Sequence, residues 1–356
     1  MEQGNCIKRI RWIDVAKGYG IFLIVLGHIL TTGTLRRLIF AFHVPLFFIL
    51  SGLTLNTNIR FKNFLVKKFK SLMIPYFTFS VISIVLFSFM IKLMPSLSEQ
   101  SGFFNQLFVV LYGNSRPDIM KWNTPLWFLP CLFAVLVVVY VIERSMQNNV
   151  GGAAVRLLVI IVSFVAGVLF ETNVDVRLPM QMESGIFMIG FVEIGVILSK
   201  CDFSEQVKKI SAFKIMLISI GLLVIGSLVS HINGFAEVRT YYYGKNGFLF
   251  IITSVTMSMA FLLIAMLFEN SKIWKVIGVN SMVVLLLHKF PIVFFQSICP
   301  GVKSLLSKPT TMSGTFMAIL VAILVIALCN MAGYFIKKVC PESLGKKRKK
   351  MEKKLC

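Results

Sequence analysis

Apolar stretches long enough to cross a bilayer as helices, roughly 17 to 25 residues each, recur along nearly the whole chain. They lie at about 16–34, 37–56, 73–93, 125–142, 155–171, 184–199, 212–231, 247–268, 280–299 and 313–336. A shorter apolar piece at 104–112 cannot span and reads as a re-entrant or surface helix. With 57% hydrophobic and 15% charged residues among 356, the chain is far from the balance of a soluble globular protein. No linker rich in Pro, Gly or Ser, no heptad run and no internal repeat divides it. The fold expected is therefore all-α and polytopic, with about ten transmembrane helices in one membrane-embedded domain over 1–340 and a basic tail over 341–356. Met1–Trp12 is polar and charged, and the first apolar segment is long enough to stay in the membrane, so no cleavable leader is expected.

The ten long stretches make an even number of crossings, the 104–112 piece would make it odd, and charge decides between them. With the N-terminus inside, an odd number would put Lys346-Lys347-Arg348-Lys349-Lys350 on the outer side, against the bias that keeps basic flanks in the cytoplasm. That tail belongs with Lys8, Arg9 and Arg11, and so does the cluster Arg60, Lys62, Lys67, Lys68, Lys70 after the second span. An even number follows, and the ten long stretches supply it with the 104–112 piece left as a re-entrant or surface helix. Ten crossings with both termini cytoplasmic is the expectation. A net charge of +22, from 37 Lys and Arg against 15 Asp and Glu, would suggest nucleic acid in a soluble protein. Here the basic groups crowd the cytoplasmic edges, where anionic lipids attract them, and the tail reads as a topology anchor rather than a nuclear localisation run. Near the second span the same cations are placed to meet an anionic cosubstrate. Seven cysteines are scattered without a Cys-x-x-Cys pair and read as free thiols.

The polar residues of the first span fall on one stripe. In Asp14-Val-Ala-Lys17-Gly-Tyr-Gly-Ile-Phe-Leu-Ile-Val-Leu-Gly-His28, the steps from Lys17 to His28 bring a helix back to within about 20° of its starting direction. Ionisable side chains are costly in hydrocarbon and face a protein interior or a watery cavity, so the stripe marks the wall of a site. His28 lies about 16 Å along the axis from Lys17, at or past the middle of the bilayer. There a neutral imidazole, able to accept a proton, is the favoured form. Lys17 can snorkel to the cytoplasmic interface and pair with Asp14. Asp14 is too distant to orient His28, whose partners must come from other helices.

The second span opens Phe40-Ala-Phe-His43-Val-Pro45 and continues to Ser51-Gly52. Pro45 frees the carbonyl of Ala41, so a kink is expected beside His43, and Ser51-Gly52 admits a close neighbour. Glu193 inside the sixth span needs a partner or a proton. Asn123-Thr-Pro125-Leu-Trp127 opens the fourth span, where Trp127 also suits the aromatic belt. His288 lies near the outer end of the ninth. Four histidines on separate spans show no metal-ligand spacing, and there is no phosphate-cradling Gly-rich loop, Gly-x-Ser-x-Gly elbow or nucleotide fingerprint.

These residues carry a resemblance. Asp14-x-x-Lys17-Gly, Gly27-His28, Phe42-His43-x-Pro45-Leu-Phe-Phe-x-x-Ser51-Gly52, Lys70-x-x-x-x-Pro75-Tyr76, Leu126-Trp127-Phe128-Leu129 and Asn280-Ser-Met-x-x-Leu-x-x-His288 together resemble the membrane-bound acyltransferase-3 family. The Lys-Gly and Gly-His wording is most similar to the branch of fucose 4-O-acetylases and related surface-sugar acetyltransferases. Lys17 stands where many members carry arginine ten residues before the histidine, which keeps the charge and loses the planar fork. The resemblance implies a multi-pass protein of the bacterial cytoplasmic membrane that moves an acetyl or other acyl group from acyl-coenzyme A to a hydroxyl of a surface glycan or lipid-linked sugar. It implies His28 as general base or acyl carrier, with Asp14, Lys17 and His43 assisting. Lys17, Lys67, Lys68 and Lys70 would meet the coenzyme, and Asn123, Trp127, Glu193 and His288 the acceptor. Acetyl-coenzyme A is a cosubstrate, with no permanently bound cofactor expected. A secondary transporter or exporter is the alternative that hydropathy and buried polar groups also allow.

Overall fold

Lipid-facing and protein-facing sides divide the helices of this chain unequally, and that division orders the fold. The computed structural model describes residues 10–93, 103–115, 123–146, 152–173, 177–298 and 311–346. Its helices are α1 (Arg11–Ile29), α2 (Thr34–Phe40), α3 (His43–Leu53), α4 (Phe61–Lys68), α5 (Ile74–Leu93), α6 (Phe103–Tyr112), α7 (Phe128–Ser145), α8 (Gly152–Asn173), α9 (Met182–Lys200), α10 (Phe203–Lys208), α11 (Ala212–Asn233), α12 (Gly247–Leu267), α13 (Lys272–Val279), α14 (Ser281–Leu287), α15 (Lys289–Ile298) and α16 (Met312–Val339). Among the described residues nine helical stretches are long and apolar enough to cross a membrane. These are α1, α2 with α3, α4 with α5, α7, α8, α9, α11, α12 and α16. The fold is all-α and polytopic. Only 22% of the α8 window and 17% of the α11 window is buried, against 72% for α1, so α8 and α11 form the lipid edge and α1 lies inside. Leu157, Ile161, Ile220 and Leu228 are outward side chains of that edge.

The proline-directed breaks shape the interior. Pro45 cannot donate to Ala41, and the chain breaks between α2 and α3 beside His43, as the sequence predicts. The freed carbonyl is satisfied from another helix: Ser254 Oγ donates to Ala41 O at 2.6 Å. A second break is at His288. There Pro291 removes the bond to Leu287 O, so the apolar run 281–298 is split into α14 and α15 set end to end. This run carries the segment read at 280–299, and the interruption hides it from a count of unbroken helices. It starts where Asn280 accepts from Lys337 near the end of α16, and it reaches the level of His28 by His288. The 104–112 piece is α6, ten residues long, with Phe104, Phe108 and Leu111 outward and Val109 and Val110 buried. Tyr76 Oη donates to Val110 O at 3.0 Å and pins it to α5.

The basic cluster after the second span is itself helical, since α4 begins at Phe61, well before the apolar run, and joins α5 through a π turn at Phe69–Met73 ahead of Pro75. Two close crossings depend on glycine. A Cβ at Gly18 would strike the carbonyl oxygen of Trp274, and one at Gly278 that of Asp14, so α1 and α13 touch backbone to backbone. Gly52 and Gly195 do the same for α3 and α9. The described C-terminal residues return to the bundle beside the π turn: a Cβ at Gly345 would strike the Lys70 carbonyl oxygen, and Leu344 is buried. Lys8, Arg9 and the basic residues from Lys347 onward lie outside the described residues.

Candidate active site

The stripe on α1 is the wall of a cavity. Asp14, Lys17, Ile21 and Ile24 recur at three- and four-residue steps and line a space of about 460 Å³. Phe47, Ser51 and Thr54 of α3, Phe128, Leu132 and Leu136 of α7, and Met282 and Leu285 of α14 close its sides. At the mouth stand Lys17, Lys68, Ser71 and Lys346. Lys68 sits with its ammonium 5.7 Å from the Phe64 ring centre. The π turn turns Ser71 and Leu72 toward this space. Lys346, which the sequence places in the tail anchor, shares the mouth because Pro341–Leu344 folds back on the bundle. The interior is mostly apolar and the mouth basic.

One turn beyond Ile24 on the same stripe is His28. It is half-buried, and among the described residues neither ring nitrogen has a hydrogen-bond partner. Its neighbours come from other helices. The His288 ring lies 5.3 Å away and Phe40 meets it edge-on at 5.9 Å. Phe40 in turn meets His43 at 5.0 Å, so three of the four histidines gather at one place. His43 Nδ1 donates to Ile39 O at 2.7 Å, and His288 Nδ1 donates to Val284 O at 2.9 Å and to Leu285 O at 3.0 Å. A carbonyl only accepts, so in both rings Nε2 keeps the lone pair. The His288 Nε2 is buried with no partner. Among the described residues no group of three or more His, Cys, Asp or Glu is placed to hold a metal ion.

On the other side of Phe40 from His28 lies a further segment. Between α11 and α12, residues 235–239 alternate, with Ala236 and Val238 buried and Phe235, Glu237 and Arg239 half-buried on the other side. Ser184 Oγ donates to Val238 O at 2.6 Å, Gln181 Nε2 to Arg239 O at 2.8 Å, and Asn233 Nδ2 to Tyr243 O at 2.7 Å. Phe235 meets Phe40 at 5.3 Å, and the Arg36 guanidinium lies 4.4 Å from the centre of each ring. Lys289 follows His288 and is surrounded electrostatically by Arg36, Glu237 and Arg239.

The structure thus brings Asp14, Lys17 and Lys68 to the cavity, and gathers His28, His43 and His288 beyond its lining, one turn of α1 past Ile24. Lys67 and Lys70 are exposed and do not line it. Asn123 is buried and holds the turn before His288, donating to Leu286 O at 3.1 Å and to Ser83 Oγ at 2.8 Å. Trp127 is buried beside Phe128. Glu193 is not brought to the histidines or to the cavity; it is fully buried on α9 near Glu143, which pairs with Arg156 and, at 3.0 Å, with Lys200. Arg36, Phe235, Arg239 and Lys289 were missed. The signals were two arginines in the short connection after the first span, and the period-two alternation of 235–239.

Among the described residues, nine membrane-length helices, with a basic-mouthed cavity between α1, α3, α7 and α14 that stops a helical turn short of a histidine cluster, define a multi-pass membrane protein with its candidate site between helices. Over residues 10–331 the chain matches the family model described as an acyltransferase domain, and it belongs to this acyltransferase-3 family. It is a membrane acyltransferase, with an acyl donor and an acceptor as its substrates. No curated protein and no solved structure matches it.

Proposed function

We propose that this chain is an O-acetyltransferase of the bacterial cytoplasmic membrane. It takes acetyl from acetyl-coenzyme A entering on the cytoplasmic side and gives it to a hydroxyl of a cell-surface polysaccharide or its lipid-linked sugar precursor. One observation carries this reading: the stripe Asp14, Lys17, Ile21, Ile24 lines a cavity whose mouth is basic, and the same stripe ends one turn further on at His28. A volume of about 460 Å³ suits the acylated pantetheine arm, with the nucleotide and its phosphates held outside by Lys17, Lys68 and Lys346.

His28 then takes the proton of the acceptor hydroxyl as that oxygen attacks the thioester carbonyl. The tetrahedral intermediate collapses, the C–S bond breaks, and the departing thiolate regains the proton from His28. His43 and His288, each fixed by an Nδ1–H bond to its own helix, keep the surroundings of His28 polar without giving up their own lone pairs. Helices on all sides limit water and so protect the thioester from hydrolysis. The Lys17-Gly18 and Gly27-His28 wording supports the fucose 4-O-acetylase-like branch. The cavity opening beside the described C-terminal residues supports cytoplasmic termini, because the basic groups there follow the positive-inside bias.

Purified protein in lipid nanodiscs, given acetyl-coenzyme A and a mixture of surface oligosaccharides, should release free coenzyme thiol and yield acetylated sugar. Release of neither, by protein shown to be folded, would remove the acetyl-coenzyme A reading.

A further inference from the structure

Under the proposed orientation, Arg36, Arg239 and Lys289 stand on the outer side, against the bias that keeps lysine and arginine in the cytoplasm. What they do there is visible in how Arg36 is held. Its guanidinium is 4.4 Å from the ring centre of Phe40 and 4.4 Å from that of Phe235. Stacking on aromatic faces fixes a guanidinium while leaving its N–H edge open. Among the described residues no hydrogen bond or ion pair engages Arg36 or Lys289. The acid within reach, Glu237, pairs with Arg239 at 3.0 Å. Two half-buried cations beside the histidine cluster thus have as their nearby acid only a carboxylate already paired with Arg239 among the described residues.

An arginine that merely anchored a helix to the interface would extend toward lipid headgroups. Arg36 instead turns onto Phe235, in a segment fastened by Val238, Arg239 and Tyr243 to α9 and α11. A single ring, Phe40, separates the guanidinium from the His28 imidazole. An anion bound at Arg36 and a hydroxyl at His28 would therefore sit on one sugar unit or on adjacent ones.

We infer that the acceptor is an acidic saccharide, and that Arg36, with Lys289 beside it, holds its carboxylate or phosphate while a neighbouring hydroxyl reaches His28. This rests on the transfer reaction proposed above and adds to it the charge of the acceptor. The acid belongs either to the sugar itself or to the diphosphate of a lipid carrier, and binding can tell the two apart.

The full chain in nanodiscs of zwitterionic lipid is titrated with fluorescent trigalacturonate and with its neutral methyl ester. A polyprenyl diphosphate bearing a neutral disaccharide serves as competitor. The wild type should bind the uronate about tenfold or more tightly than the ester, a preference expected of one charge-assisted contact. Arg36→Gln should erase that preference while binding the ester unchanged, and Arg36→Lys should keep part of it. Stabilisation by acetyl-coenzyme A in each variant reports that the fold is intact. If the polyprenyl diphosphate displaces the probe from the wild type and not from Arg36→Gln, and the uronate shows no preference of its own, the anion is the carrier's phosphate and the site stands. Equal binding of uronate and ester with no effect of the diphosphate overturns the inference, as does equal loss of both ligands in Arg36→Gln with the fold intact. The wild type is then assayed for acetyl transfer to all three ligands. Charge-selective binding without acetyl transfer to any of them would sustain the anion site and defeat the transfer reading alone.

Discussion

At the scale of single residues, the proposed chemistry turns on an imidazole held by no hydrogen bond to its own helix. His43 and His288 spend Nδ1–H on backbone carbonyls, whereas His28 is engaged by no hydrogen bond among the described residues. His28→Ala should therefore lower acyl transfer by about 100-fold or more, the usual worth of a positioned base, while the protein stays inserted and binds acyl-coenzyme A. His28→Gln keeps size and hydrogen bonding but has no basic lone pair, and it should fail equally. Coenzyme release measured on folded, purified variants checks this, and near-normal rates in either would end the role of base. The histidine stripe was readable from the sequence because it obeys helical spacing within one element. Arg36, Phe235 and Lys289 were not, because their meeting depends on three separate segments arriving at one point. Glu193 shows the converse: a buried carboxylate looks functional in sequence, yet its surroundings on α9 are Glu143 and Arg156, an ion cluster between helices away from the cavity.

At the scale of elements, small residues and prolines set the positions that the site needs. α1 can place Lys17 at the cavity mouth only because Gly18 lets the α13 backbone lie against it, with Gly278 reciprocating. A methyl group at Gly18 would meet the Trp274 carbonyl, and overpacking of this kind costs about 1–3 kcal/mol. Gly18→Ala should lower the thermal midpoint of the detergent-solubilised protein by several degrees and raise KM for the acyl donor, as the α1–α13 pair is pushed apart. Gly221→Ala, where a Cβ meets nothing within 4 Å, is the control and should leave both unchanged. The breaks were partly legible: Pro45 marked the α2–α3 kink, whereas the division of the 280–299 stretch at Pro291 was not foreseen, although a proline stands there to cause it. The rescue of Ala41 O by Ser254 was not legible either, since nothing in a local sequence tells which distant hydroxyl will reach a freed carbonyl.

At the scale of the whole molecule, ten passes would put the described start and end of the chain on one face, where Arg11, Lys68 and Lys346 also lie. Sidedness can be measured directly. With all seven native cysteines replaced, single cysteines at Lys67 or Lys346 should react with an impermeant maleimide only from the cytoplasm. Cysteines at Arg177 or Tyr242 should react only from outside. The reverse pattern would turn the cavity mouth outward and remove cytoplasmic coenzyme entry.

The same face also separates two uses of positive charge, anchoring the fold and binding an anionic donor. Lys17, Lys68 and Lys346 line the mouth of the cavity, drawn from α1, α4 and the segment after α16, whereas Lys67 and Lys70 on the same helical run are exposed and turned away from it. Net charge and topology bias change equally when either set is neutralised, so only position distinguishes them. Lys68→Gln with Lys346→Gln should raise KM for acetyl-coenzyme A several-fold and leave kcat nearly unchanged, because phosphate contacts far from the thioester weaken ground and transition states alike. Lys67→Gln with Lys70→Gln should leave KM close to wild type and lower only the amount of inserted protein. Raising salt should shrink the gap in KM between wild type and the first pair, since charges at an open mouth are screened within about 10 Å at 0.1 M. Kinetics normalised to folded, inserted protein give the answer. Equal KM shifts in the two pairs would mean that the face attracts the donor by its overall charge, and no shift in either would leave these lysines as topological anchors.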